Sequence, residues 1–160
     1  MRMRSFIDAL VRASTAIAGV ALLVMVLALV ADVAMANLFR RPLVGTFDLV
    51  ETTLVVMVFL GFPATFLRNG HIAVDVIDHL MSPAAVVRLK RLAGALSLAF
   101  LLLLAYQMLR PAYDAWQFGE RKQELGLPLW ALWVPMIVGI AISAVALIAA
   151  LAARARPPEA

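Results

Sequence analysis

The sequence has no cysteine and only two histidines. Without thiols there is no disulfide framework, no thiolate metal site and no thiol redox chemistry. His71 and His79 fall in one linker between apolar runs, so they cannot face each other across a bundle as bis-histidine haem ligands. A metal site would need further ligands that the chain does not bring together. Ser14, Ser97 and Ser143 lie in apolar runs with no histidine near them to serve as a base, which excludes a hydrolytic triad. There is no glycine-rich phosphate loop. No catalytic residue, cofactor or metal is therefore expected. Charge is scarce as well, with Asp, Glu, Lys and Arg making up 15% of the chain.

What the chain has is apolar surface. Of its 160 residues, 64% are hydrophobic, and the mean hydropathy is +0.97. An ordinary soluble domain is roughly 45–50% apolar even with glycine counted. A soluble fold of this length could not bury the surplus and would expose patches beyond what soluble proteins tolerate. A disordered chain needs low hydrophobicity and is excluded too. The bilayer is the expected solvent. The net charge of +4 and the pI near 10.3 do not form a basic stripe interleaved with aromatics, so no nucleic-acid partner is expected.

Four apolar runs stand out, bracketed by Arg12 and Arg40, Glu51 and Arg68, Arg91 and Arg110, and Glu124 and Arg154. A spanning helix needs about 20 residues, and snorkelling arginines extend the shorter runs. The expected fold is an all-α membrane protein with four transmembrane helices near 12–39, 47–68, 83–110 and 128–153 in a single domain over 1–160. A short cytoplasmic linking element is expected between the second and third. The first run resembles a secretory signal, with Ala34-Met35-Ala36 imitating a cleavage site, but it is too long and carries Asp32, so it reads as a retained helix. Lys and Arg number nine on the side of the termini and five on the other, which predicts both termini in the cytoplasm. Ser82-Pro83 would start the third helix, Pro111 would kink its far end and Gly119 would stop it, while Pro128 would open the fourth.

The sparse polar groups are the functional candidates, because ionisable residues within a membrane are expensive. Asp32, Arg40, Arg41, Asp48 and Glu51 cluster near one end of the first two helices. They read as an ion-pair cluster that fixes the hairpin, with a coupling-ion or proton site as the alternative. Trp116, Trp130, Trp133, Tyr106 and Tyr113 gather around the loop between the third and fourth helices, as an interfacial belt or as contacts for an extracytoplasmic partner. Gly139, Ser143, Ala146, Ala150 and Ala153 recur at alternating spacings of four and three, a small-residue stripe through which membrane helices associate. Gly61-Phe62-Pro63 suggests a bend in the second helix.

Several of these marks occur in a familiar order. Glu51 opens the second helix, Gly61 and Arg68 lead to Gly70-His71-Ile72-x-Val74-Asp75, an aromatic-rich exit from the third helix runs through Gly119, and Leu125-Gly126-Leu127-Pro128-Leu129-Trp130 precedes Pro135 and Gly139. This pattern resembles the small membrane subunit, DctQ-like, of tripartite ATP-independent periplasmic (TRAP) transporters, over nearly the whole chain. The resemblance implies a bacterial inner-membrane system in which a periplasmic binding protein captures an organic acid anion. A large, DctM-like membrane subunit carries the substrate and sodium sites, and the small subunit packs on it as a scaffold and helps present a docking surface. It implies that Glu51 pairs with Arg40 or Arg41, that Gly70, His71, Ile72, Val74 and Asp75 shape the cytoplasmic turn, and that Pro128 and Trp130 set the entry of the fourth helix. The loop Glu120-Arg121-Lys122-Gln123-Glu124 is more charged than is usual in the family; with Trp116, Pro128 and Trp130 it is a candidate contact for the binding protein, or else a solvated loop.

Two other classes compete with this reading. A self-sufficient four-helix transporter would need a midplane carboxylate, for which Asp32 is the candidate. A membrane anchor of a respiratory complex is disfavoured by the lack of intramembrane histidines.

Overall fold

The computed structural model describes residues 2–67 and 83–154. The chain forms α1 (Arg2–Phe39), α2 (Thr46–Gly61), the short α3 (Pro63–Leu67), α4 (Pro83–Gln117) and α5 (Trp130–Arg154). Four segments are long and apolar enough to cross a membrane: Ser5–Phe39, Thr46–Phe66 across α2 and α3, Arg88–Gln117 and Trp130–Ala152. Among the described residues there is no strand, only an isolated antiparallel bridge between Arg121 and Pro128. In a bilayer this is the required outcome, since a helix satisfies its backbone polar groups internally.

The helices stand in an open row, α1–α2–α5–α4, in which α1 also touches α3 and α5, and α4 stands at the edge, rather than a closed four-helix bundle. α2 touches both α1 and α5, α4 touches α5, and among the described residues α1 and α4 do not meet. α5 is accordingly the most enclosed, with 39% of its apolar window buried against 11% for α1 and for α4. At the end away from the 118–129 loop, Ile7 and Val11 of α1 join Phe66, Leu101, Ile140, Ile142, Ala146 and Leu147 in the core.

α1 is apolar nearly all round, so hydropathy does not mark its packed side. The packed side is a single seam whose middle is built of small residues. Ile7, Val11, Ser14, Ala18 and Ala21 are buried, and Met25, Ala28, Asp32 and Met35 continue the same seam half-buried. Steps of four and three residues keep one seam facing a neighbour, and small residues let the backbones approach where lipid offers no hydrophobic drive. Hydroxyls along the spans turn inward on their own helices: Ser14 donates to the Val11 carbonyl at 2.9 Å, Thr53 to Leu49 at 2.8 Å and Ser143 to Gly139 at 2.7 Å. Each is thereby satisfied without a partner helix.

The break between α2 and α3 has a covalent cause. Pro63 has no N–H to give to the carbonyl four residues earlier, that of Phe59. Gly139 of α5 sits against this carbonyl so closely that a Cβ there would collide with it. The glycine Cα–H therefore faces the carbonyl that the proline leaves free, a weak C–H···O contact at the closest approach of α2 and α5.

Three helix limits differ from the sequence expectation. α1 begins at Arg2 rather than near Arg12. α5 begins at Trp130, two residues after Pro128, whose carbonyl accepts the Ala131 N–H at 3.0 Å. α4 continues past Pro111 to Gln117, because a proline removes one hydrogen bond without removing the packing of Met108 and Ala115 on either side of it.

Candidate functional site

The polar residues converge where the α1–α2 turn meets the α4–α5 loop. α4 ends in a Schellman arrangement: Gly119 takes a φ of 61°, its N–H reaches the Trp116 carbonyl at 3.4 Å, and the Glu120 N–H reaches Ala115 at 3.2 Å. The chain then folds back on itself. The Leu129 N–H donates to Glu120 and the Lys122 N–H to Leu127, both at 2.8 Å, and Gly126 turns the corner at a φ of 64°. Arg121 Nη1 donates to the Gly126 carbonyl at 3.2 Å. The loop is a closed, self-bonded structure.

This loop is locked onto the first turn of α2. Asp48 is buried at 3% exposure. Its Oδ2 accepts the backbone N–H groups of Glu124 and Leu125, both at 2.9 Å. Glu124 reciprocates, its Oε2 accepting the Gly45 N–H at 3.0 Å. Lys122 Nζ pairs with Glu51, with the lysine side chain 8% exposed and the glutamate 43%. The Leu125 side chain occupies the space that a Cβ on Gly45 would need, and Gly45 holds a φ of 91° as the N-cap of α2. The negative charge of Asp48 also lies at the positive end of the α2 dipole. A buried carboxylate with two backbone donors at a helix N-terminus is a strong, charge-assisted anchor.

Asp32 closes the α1–α2 turn. Its Oδ1 accepts the Leu43 N–H at 2.7 Å and lies 3.2 Å from the Thr46 hydroxyl, which is 3.0 Å from the Leu43 carbonyl. Asp32 therefore acts as a hairpin fastener, level with the loop and not with the middle of the helices.

Several expected residues take different roles from those the sequence suggested. Glu51 meets Lys122 rather than Arg40 or Arg41. Both arginines are exposed and make no ion pair among the described residues, because Arg40 leaves the end of α1 at a φ of 57° and the turn carries both outward. Lys122 pins the loop from inside instead of presenting itself to a partner. Trp116, Glu120, Arg121 and Trp130 remain exposed, and Pro128 is half-buried. Gly139, Ser143 and Ala146 of the small-residue stripe are buried and Ala150 is half-buried; Gly139 meets α2 of the same chain at Phe59. Gly70, His71, Ile72, Val74 and Asp75, with His79, lie outside the described residues. Among the described residues, no three His, Cys, Asp or Glu side chains gather as a metal site.

A family model described as tripartite ATP-independent periplasmic transporters, DctQ component, matches residues 25–156. The chain belongs to this family. No curated protein and no solved structure matches it. The DctQ match covers Asp32, the whole Asp48–Leu125 lock and all of α5. It identifies the chain as the small membrane component of a TRAP transporter.

Sequence reasoning missed Gly45 and Leu125 as a packed pair and Lys122 as the partner of Glu51. The available signal was two glycines, Gly45 and Gly126, beside acidic residues at the same end of the spans. It also placed Arg110 at a membrane boundary, whereas Arg110 lies well inside α4.

Proposed function

We propose that this DctQ component is a non-catalytic scaffold subunit of a sodium-coupled TRAP transporter of the bacterial inner membrane, with both termini cytoplasmic. It serves the uptake of organic acid anions captured by a periplasmic binding protein and moved by a large, DctM-like membrane subunit. The observation that carries the reading is the Asp48 lock, which joins the α1–α2 turn and the α4–α5 loop into one preformed surface. Exposed Glu120, Arg121, Trp116 and Trp130 stand on or beside it. Preformed surfaces bind without an ordering cost, which suits a partner that must dock and leave. Asp32, the candidate for a self-sufficient transporter, is occupied in holding the hairpin.

The test is uptake in proteoliposomes. This chain, a co-expressed large permease and the binding protein together should give sodium-dependent accumulation of the organic acid that the binding protein captures. Any two components should give none. Accumulation by this chain alone, or undiminished accumulation without it, overturns the proposal.

A further inference from the structure

α4 is the edge of the row, and among the described residues it touches only α5. Leu101, Ala105, Met108 and Ala115 face that neighbour side. At 100° per residue, Tyr106, Arg110, Tyr113 and Gln117 line the opposite face, flanked by Gln107. All five are exposed, Tyr106 at 72%. The side chains of Tyr106, Gln107 and Arg110 make no hydrogen bond or ion pair with the rest of the described chain.

The packing places this face within the bilayer. Gly94 of α4 meets Leu151 of α5, so the antiparallel pair sets Leu104 opposite Ala141, the centre of the apolar run Trp130–Ala152. Phe59 of α2 meets Gly139, so the centre of Thr46–Phe66 at Val56 lies level with Met136, and hence with Leu109 of α4. Gly61 against Ala18 puts the centre of α1 near the same level. The midplane thus crosses α4 between Leu104 and Leu109. Tyr106 and Gln107 lie in that interval, and Arg110 is about 2–9 Å beyond the midplane at 1.5 Å per residue. Even on the span of α4 itself, Arg88–Gln117, Arg110 is about 11 Å from the centre. The hydrocarbon reaches about 15 Å to each side.

Asp114, one turn further along α4 and half-buried, is not within ion-pair distance of Arg110, and an unpaired guanidinium facing lipid at this depth is costly, since intramembrane charges pair with one another or with backbone carbonyls. Snorkelling to a phosphate could serve Arg110, but not Tyr106 and Gln107, which are shorter and deeper. We propose that this face of α4 is the seat of a transmembrane helix of the large membrane subunit, and that the helix carries a carboxylate which pairs with Arg110 inside the hydrocarbon. The tyrosine hydroxyls and the Gln107 amide hydrogen-bond along the same helix. The inference rests on the functional reading above and assigns the side on which that partner packs.

The chain has no cysteine, so single Leu103→Cys and Tyr113→Cys variants carry a photo-crosslinker at one known place. Co-expressed with the large permease and purified in nanodiscs, both should crosslink to it, and Leu27→Cys on the lipid side of α1 should not. Arg110→Leu should insert in the membrane at least as well as the parent chain, since it removes a charge. It should lower the co-purified permease at least about tenfold, with Arg110→Lys recovering most of it. If the unaltered chain retains no permease, the functional reading fails. If it retains permease but the crosslinks come from Leu27→Cys, form between two copies of this chain, or go to lipid alone, the seat on α4 is overturned. Undiminished retention by Arg110→Leu overturns it as well.

Discussion

Replacing Asp48 with alanine tests the lock directly. The side chain is buried and its Oδ2 is the acceptor for the Glu124 and Leu125 N–H groups. Hydrogen bonds to a charged group contribute about 1.5–3 kcal/mol each, and a stranded buried donor costs about 1–3 kcal/mol. Water entering from the loop end relieves part of this, while losing the carboxylate from the α2 N-terminus adds about 0.3–1 kcal/mol. The expected cost to the closed loop is about 2–4 kcal/mol. At 1.36 kcal/mol per factor of ten, amide exchange at Glu124 and Leu125 should accelerate about 30- to 900-fold when exchange follows the opening equilibrium. Asp48→Asn keeps an acceptor oxygen but not the charge, so its effect should be about fivefold. The assay is hydrogen exchange in nanodiscs with peptide coverage of 118–129, with the exposed Gln123→Ala as the control. Exchange in Asp48→Ala within about threefold of the parent protein would refute the claim that this carboxylate holds the loop.

Gly45→Ala should loosen the same loop, because its φ of 91° disfavours a Cβ and Leu125 fills the space. Adding Leu125→Ala should remove the clash but leave about 1–2 kcal/mol of backbone strain, read as partial recovery of exchange protection. Gly139→Ala sets a methyl against the backbone carbonyl of Phe59, which cannot rotate away as a side chain could. It should lower the thermal midpoint in detergent by an amount matching about 1–3 kcal/mol, and an unchanged midpoint would deny the close approach of α2 and α5. Glu51→Gln leaves the ammonium of Lys122, whose side chain is 8% exposed, without its counter-ion, so the loss should be about 1–3 kcal/mol and only partly relieved by salt. In the assembled transporter the same change should reduce complex yield more than substrate affinity; normal yield with lost sodium coupling would instead make Glu51 a coupling residue.

The spans were legible because hydropathy over about 20 residues is a summed signal that no single residue can spoil. Gly119 was legible as a stop because only glycine readily takes the left-handed turn its position requires. The stripe on α5 was legible as a packing surface from the spacing of Gly139, Ser143 and Ala146, but not the helix it faces, since lipid and protein are equally apolar neighbours to an alanine. Ser14, Ala18 and Ala21 were hidden for a related reason: α1 is hydrophobic on every side, so hydropathy has no contrast there. The ion pair was misassigned because nearness in sequence favoured Arg40 and Arg41, while the loop that delivers Lys122 arrives from the far side of α4. Arg110 was read as a membrane boundary because a charge ends the apolar run there; Pro111 and Gly119 already carried the helix past it, and the register of α4 on α5 sets it deeper in the span.

The two polar features of this chain differ in kind, and the open row explains why. At the loop end, the charges of the lock find partners within the chain: Asp48 two N–H groups, Lys122 the carboxylate of Glu51, Asp32 the hairpin backbone. The first turn of α2 and the loop that leads into α5 carry that lock, and α2 and α5 also share the Gly139–Phe59 contact near mid-span. The α2–α5 pair is therefore tied at two depths and forms the rigid spine. α4 hangs on α5 alone, and the polar groups on its free side are the ones left unmatched. A row of four helices that has matched its own charges at one end, but not along one edge, has the packing of a subunit completed by a neighbour. Gly139 is already used between α2 and α5, and on the free face of α4 the polar groups stand in line with the exposed Ala95 and Ala99, so close approach and polar pairing together can fix that neighbour's position.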